Sequence, residues 1–289
     1  MSDGPAAEPI KLEVRDGVVL RGERWTGGAR TVVLLHGGGQ NRWSWRDTAG
    51  ALGRAGFTAI ALDARGHGES DWAPAGRYAI DDFVLDLVDV LGQLPQPSAV
   101  VGASLGGISG LLASARLARP LAALVLVDVV ARNSPAGVAR IAAFMRDTVG
   151  GFATLDDAAR AIADYLPQRA RRRTTEGLTR TLRPAPDGRW VWRWDPAMLD
   201  AGFGDQATEL TPRLAEAAAR LAAPCLLVRG SASDVVSDDA ARELAAVIAG
   251  SEHAVVDGAG HTVAGDRNDA FTSAVVDFLV RRSRWDVAP

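Results

Sequence analysis

The sequence predicts an α/β fold built on a mostly parallel sheet, and three observations carry that prediction. Short uninterrupted apolar runs recur along the chain, too short for helices and bounded by turn residues, as expected of strands covered on both faces. Between them lie stretches with apolar residues at i, i+3, i+4 and i+7, the spacing of a helix with one buried face. Strand and helix alternate, and right-handed crossovers of that kind wrap a parallel sheet in helices.

The first element differs from the rest. "IKLEVRDGVVLRGERW" has apolar positions at period two around Asp16-Gly17, a hairpin signal. The buried-strand texture then appears at Thr31–His36 ("TVVLLH"), Thr58–Asp63, Ser98–Ala103 and Leu121–Asp128, and again at Pro224–Gly230 and Glu252–Asp257. Phe83, Val84, Leu87, Val88 and Leu91 share one helical face, opposite Asp82, Asp86 and Asp89. Ile108, Leu111, Leu112 and Ala115 repeat the spacing, as do Ala241, Leu244, Ala245 and Ile248. The alternation stops after Asp128 and resumes at Pro224, and an insertion of roughly ninety residues is too long for a loop. The sequence therefore predicts a core domain from 1–130 and 223–289, with a helical lid over 131–222 inserted between two of its strands.

Composition excludes several classes. The 289 residues carry a formal net charge of −3, which offers no electrostatic case for nucleic acid or an anionic membrane surface. The densest basic run, "QRARRR" at Gln168–Arg173, reads as a solvated helix face. The N-terminus lacks a basic segment followed by an apolar one, and no run approaches ~18 uncharged apolar residues, so a cytoplasmic protein is expected. Cys225, the single cysteine, sits in the apolar run "PCLLVRG" and reads as a core residue.

Gly102-Ala103-Ser104-Leu105-Gly106 lies where a buried strand ends and a helix begins. A sharp turn there leaves little room beside the serine, which the two glycines provide. The turn lifts the Ser104 hydroxyl above the carboxyl ends of the strands, where open α/β sheets bind ligands, and aims backbone N–H groups at the same spot. A serine hydroxyl needs a base to act as a nucleophile. Of the four histidines, His261 in "DGAGHTVAGD" follows the last strand on a glycine-rich loop and is placed best. The base needs a carboxylate to fix its tautomer. Asp234, in the loop after the penultimate strand, is the favoured candidate, because the order Ser104, Asp234, His261 follows the strands; Asp128 at the end of "LVLVD" competes with it.

"HGGG" (His36–Gly39), "DARGHGES" (Asp63–Ser70), "GASLGG" (Gly102–Gly107), "SASD" (Ser231–Asp234) and "GAGH" (Gly258–His261) occur in the order and approximate spacing of the α/β-hydrolase superfamily, and the chain resembles its lidded serine-esterase branch along its whole length. The resemblance implies an eight-stranded, mostly parallel sheet. It also implies Ser104 as nucleophile, His261 as base and then acid, Asp234 as its partner, and an oxyanion hole from the N–H groups of Leu105 and Gly38, with Gly39 a substitute. His36, His67 and Asp63 read as turn and core hydrogen-bond formers, and His253 as a plain strand residue. Epoxide hydrolases and haloalkane dehalogenases of this fold carry aspartate where Ser104 stands, which disfavours alkyl-ester chemistry.

Phe144, Met145, Phe152, Tyr165, Trp190, Trp192, Trp194, Met198 and Phe203 supply the predicted lid with a small core. Trp190, Trp192 and Trp194 alternate, so an extended segment would put three indoles on one side. Trp43, Trp45, Tyr165, Trp192 and Trp194 are the candidate substrate-binding residues. The expected activity is hydrolysis of a small to medium, partly apolar carboxylic ester through an acyl-enzyme. A lactone or thioester would use the same machinery. The competing readings are a C–C-bond enzyme, a hydroxynitrile lyase or a cofactor-free perhydrolase of this fold, and a ligand-binding receptor with little turnover. No metal or cofactor is expected, and the expected partner is a small-molecule substrate.

Overall fold

A computed structural model describes residues 5–167, 175–200, 207–266 and 268–285; the side chains at 176, 207, 208, 265, 266 and 268 are outside the described set, as are Phe203 and the basic run 168–173. The chain opens on the hairpin that the period-two pattern predicts. β1 (Ala7–Glu13) pairs antiparallel with β2 (Val19–Trp25), and the turn holds Asp16 and Gly17 at φ of 62° and 70°. β3 (Arg30–Leu35), α1 (Arg46–Arg54), β4 (Phe57–Leu62), α2 (Ile80–Gly92), β5 (Ala99–Ala103), α3 (Leu105–Ser114) and β6 (Ala123–Val127) then alternate. The segment after β6 holds α4 (Pro135–Thr148), α5 (Leu155–Tyr165), α6 (Thr175–Leu178), β7 (Leu182–Pro184), β8 (Trp190–Trp192), α7 (Ala197–Asp200) and α8 (Ala207–Ala219). Alternation resumes with β9 (Cys225–Gly230), α9 (Asp238–Val247), β10 (Glu252–Val256), α10 (Val263–Asp266) and α11 (Asn268–Arg282).

The sheet has eight strands in the order β1-β2-β4-β3-β5-β6-β9-β10, antiparallel at β1–β2 and β2–β4 and parallel elsewhere. Its central strands are apolar throughout because alternate side chains enter two different cores. Val33, Val100, Leu124, Leu126 and Leu227 face one side, with Leu87 of α2, Leu111 of α3, Leu214 of α8 and Leu244 of α9. Val32, Leu34, Val101, Val125 and Val228 face the other, with Leu52 of α1 and Phe271, Val275 and Phe278 of α11. Cys225 is buried on the first side, and burial pushes its thiol up to about 12. Among the described residues no helix is long and apolar enough to cross a membrane.

The segment between β6 and β9 is mostly helical and holds one short strand pair. β7 and β8 form an antiparallel pair, Leu182 opposite Trp192 and Pro184 opposite Trp190. α4 starts with Ser134 accepting from the Gly137 N–H and with Pro135 in the first turn; α5 starts with a capping box between Thr154 and Asp157. Phe152, Ala158, Ile162, Leu166, Leu178 and Leu182 form a separate small core. α8, at the end of the segment, instead packs its Leu214, Ala217 and Ala218 into the first sheet core.

Candidate active site

Ser104 sits between the end of β5 and the start of α3 with φ 46° and ψ −115°, a conformation that a non-glycine residue holds only when its surroundings impose it. The surroundings are backbone. A Cβ at Gly102 would collide with the main chain of Gly106 and Gly107, and one at Gly106 would collide with the Leu35 carbonyl at the end of β3. The Ser104 N–H donates to the Val127 carbonyl of β6 (3.1 Å), which ties the turn to the neighbouring strand.

His261 follows β10, and its Nδ1 lies 2.7 Å from Oδ2 of Asp128, the residue after β6. The Asp128 side chain is fully buried and that of His261 is 13% exposed. Asp128 has a positive φ of 52°, and its N–H donates to the Val228 carbonyl (2.7 Å), so the chain turns at the strand end with the carboxylate aimed along the sheet edge. Oδ1 accepts from the Gly230 N–H (3.2 Å), while Oδ2 also accepts from the Ser233 hydroxyl (2.5 Å). A carboxylate buried this deeply needs such donors.

The carboxylate expected at this position was that of Asp234, and the structure corrects it. Asp234 turns outward to Arg140 of α4 (2.6 Å), both side chains 39% exposed. Burial alone would raise its carboxyl, but the Arg140 ion pair outweighs that effect and holds it below the ordinary range. The physical reason is the run of the loop after β9. Ser233 directs its side chain inward to Asp128, and its neighbour faces the other way.

Gly37, Gly38 and Gly39 follow β3 beside Ser104 and line the same cavity. Two buried histidines fix this loop. His36 donates from Nδ1 to the Gly37 carbonyl (2.8 Å) and accepts the Ala64 N–H at Nε2 (3.0 Å). His67 donates from Nδ1 to the Arg65 carbonyl (2.9 Å) and accepts the Gly39 N–H at Nε2 (3.1 Å). Burial lowers His36 to about 4 and, with its neighbour His36 adding to the effect, His67 to about 3, so both are neutral acceptors. The Gly39 N–H is thereby committed. Among the described residues the N–H groups of Gly38 and of Leu105, the first residue of α3, are left without a partner. Asp63, the other residue read as a hydrogen-bond former, accepts from the Arg42 and Glu69 N–H groups (2.7 and 2.9 Å) and pairs with the Arg42 guanidinium. His253 is exposed on β10.

A cavity of about 220 Å³ joins Ser104, Leu105, His261 and the glycine loop to the segment between β6 and β9. Tyr165, Trp192 and Trp194 are among its lining residues. Phe144 extends this wall, stacking on Tyr165 (centroids 4.1 Å apart) and meeting Trp192 edge-on (6.0 Å). Trp192 donates from Nε1 to Thr148 (3.0 Å), and Thr148 also lines the cavity. No Asp, Glu, Lys or Arg is among the described lining residues.

Two expected binding residues are elsewhere. Trp45 is fully buried among the side chains of α1 and α11, 5.8 Å from Phe271 between ring centroids, and belongs to the core beneath the sheet. Trp43 lies outside the cavity lining, with the guanidinium carbons of Arg42, Arg46 and Arg180 at 5.2, 5.3 and 5.1 Å from its ring. The residue between them, Ser44, is the one that reaches the cavity.

Comparison with known proteins gives the family of the chain. The family model described as alpha/beta hydrolase fold matches residues 30–267. An esterase of Mycobacterium tuberculosis is 34% identical over 97% of this chain and 92% of its own length. Its solved structure superposes with a TM-score of 0.74, covering 97% of this chain and 93% of that one at 28% identity. An alpha/beta hydrolase from Novosphingobium aromaticivorans superposes with a TM-score of 0.80 at 26% identity, covering 96% and 99% of the two chains. The chain belongs to the α/β-hydrolase-fold family. It is a hydrolase of the esterase kind.

Several residues of this hydrolase's cavity escaped the sequence reading. Gln40 accepts the Gly37 N–H (3.2 Å) and so braces the glycine loop. Tyr78 donates to Asp195 (2.5 Å), joining the loop after β4 to the segment after β8. Asn133, Val138 and Ile141 line the cavity from the start of that segment. The Asp128 assignment did have a signal: it is the one acid in the apolar run "LAALVLVDVV", and a carboxylate buried there demands donors.

Proposed function

We propose that the protein hydrolyses carboxylic esters with small to medium, uncharged and largely apolar acyl groups, through an acyl-enzyme on Ser104. The observation that carries this reading is that His261, held at Nδ1 by the buried Asp128, lines the same apolar cavity as Ser104. With the proton of His261 held on Nδ1 by Asp128, Nε2 is the nitrogen free to act as base. In the proposed sequence, Nε2 takes the Ser104 proton as Oγ attacks the ester carbonyl. The negative oxygen that develops is held by the N–H groups of Gly38 and Leu105. Collapse breaks the acyl–oxygen bond, and the alcohol leaves with the proton from His261. A water then gives a proton to Nε2 and its oxygen to the acyl carbon, releasing the acid and restoring Ser104.

The cavity supports the substrate class. With no charged side chain in its described lining, it gives a carboxylate or ammonium on the acyl chain nothing to replace lost water. A volume of about 220 Å³ suits an acyl chain of modest length. The segment between β6 and β9 acts in this reading as a lid that supplies the acyl wall and limits water.

The test is hydrolysis of p-nitrophenyl esters from acetate to laurate by the intact protein and by Ser104→Ala. The expected result is turnover that peaks at a short or medium acyl chain and falls by about three or more orders of magnitude in the variant. Equal turnover by the Ser104→Ala variant, or none by the intact protein on any ester, would overturn the reading.

A further inference from the structure

Ser233 has a geometry that the activity alone does not call for. It stands in the turn after β9, and its N–H donates to the Gly230 carbonyl (3.1 Å). Its Oγ accepts two backbone N–H groups, from Val236 (3.1 Å) and Val235 (3.3 Å). Those two donors occupy the acceptor capacity of a hydroxyl, so its own proton has one direction left: toward Asp128 Oδ2, 2.5 Å away.

The consequence runs through the carboxylate. Asp128 receives the Gly230 N–H on Oδ1 and the Ser233 O–H on Oδ2, and the remaining partner of Oδ2 is Nδ1 of His261 at 2.7 Å. A carboxylate has no proton to give, so Oδ2 accepts from His261 as well, and the Ser233 hydroxyl, which has no freedom to turn away, holds that oxygen in line with Nδ1. The imidazole proton is therefore fixed on Nδ1 and the lone pair on Nε2. We propose that Ser233 is a positioning residue of the active site: its hydroxyl, oriented by the Val235 and Val236 amides, aligns the Asp128 carboxylate on His261 Nδ1 and tempers its charge. This inference rests on the ester-hydrolase reading for its kinetic part and stands apart from it for its spectroscopic part.

Among the described residues the charged groups facing His261 are Asp128 and, farther off, Asp234, which Arg140 of α4 neutralises. Donation from Ser233 draws charge from the oxygen that holds His261. Its removal leaves that oxygen more negative and the imidazolium better stabilised, while the carboxylate loses alignment.

The experiment compares wild type with Ser233→Ala, Ser233→Thr and Ser233→Cys by the pH profile of kcat/KM on p-nitrophenyl butyrate, by thermal melting, and by proton NMR of the His261 Nδ1–H. Ser233→Ala is expected to lower kcat by about ten- to a hundredfold with KM within about twofold, and to move the acid limb upward by about half a pH unit. The downfield Nδ1–H resonance is expected to shift or broaden in the same variant. Ser233→Thr, which keeps the hydroxyl, should restore both. Ser233→Cys keeps the volume without a strong donor and gives the same reading if the alanine variant does not fold. An unmoved acid limb with an unchanged Nδ1–H resonance in folded Ser233→Ala or Ser233→Cys would overturn the proposal. If the wild type cleaves no ester, the ester reading fails, and the resonance alone decides the role of Ser233.

Discussion

Asp128 and His261 stand 133 residues apart in the chain and 2.7 Å apart in the fold, one after β6 and the other after β10. The pair spans the strand between them, and that strand's own acid, Asp234, takes no part in it. Conversion of Asp128 to Asn leaves the shape but removes the charge and lets an NH2 donor face Nδ1, which favours the tautomer with the proton on Nε2. Asp128→Asn should lower kcat by about 10³–10⁴-fold, with Asp234→Asn within about threefold of wild type. Steady-state kinetics on one p-nitrophenyl ester checks both.

Two tryptophans that read alike in the sequence should separate cleanly. Trp45 is fully buried beside Phe271, so Trp45→Ala should destabilise by about 3–5 kcal/mol in urea unfolding. Trp192 is half-buried in the cavity wall. Trp192→Ala should leave most of the stability in place and shift the preferred acyl length upward, as read from kcat/KM across the ester series.

Stability should fall on the acid side of neutrality through the two buried histidines. Their folded values, about 4 for His36 and about 3 for His67, lie below the ordinary 6.5. Below 6.5 the unfolded chain takes up protons that the folded chain refuses, so stability is fully present above that value and is lost as pH falls toward the folded values. For His67 alone, moving from about pH 7 to about pH 5 should remove about 2 kcal/mol. Gln at this position can still accept the Gly39 N–H. Denaturant unfolding of His67→Gln at the two pH values should therefore show a decline smaller by about that amount.

Asn133 lines the cavity with an Oδ1 that is buried and has no hydrogen-bond partner among the described residues. An orphaned acceptor of this kind is destabilising, and an apolar side chain of similar size removes it. Asn133→Leu should raise stability by about 1 kcal/mol, or about 2 °C in Tm. Calorimetry checks it, and a lowered Tm would show that the carboxamide is satisfied in solution.

The sequence by itself determined the elements of the eight-stranded sheet and much of the candidate active edge. β3, β5, β6 and β9 are apolar throughout because both faces are buried, a property written in the composition of each run. The Gly102-x-Ser104-x-Gly106 turn was legible for a similar reason: close backbone approach admits only glycine at its flanks. His261 was legible because it alone of the four histidines follows the last strand on a glycine loop. What the tertiary structure decided was which of two strand-end acids meets His261, and which tryptophans meet the cavity. Asp128 and Asp234 end neighbouring strands at one edge, so order along the chain does not separate them. The direction of a side chain at a loop residue does, and that depends on the loop's φ and ψ angles and its neighbours. Trp43, Trp45 and Trp192 differ likewise only in what packs against them, a property of contacts between distant segments that no local pattern encodes.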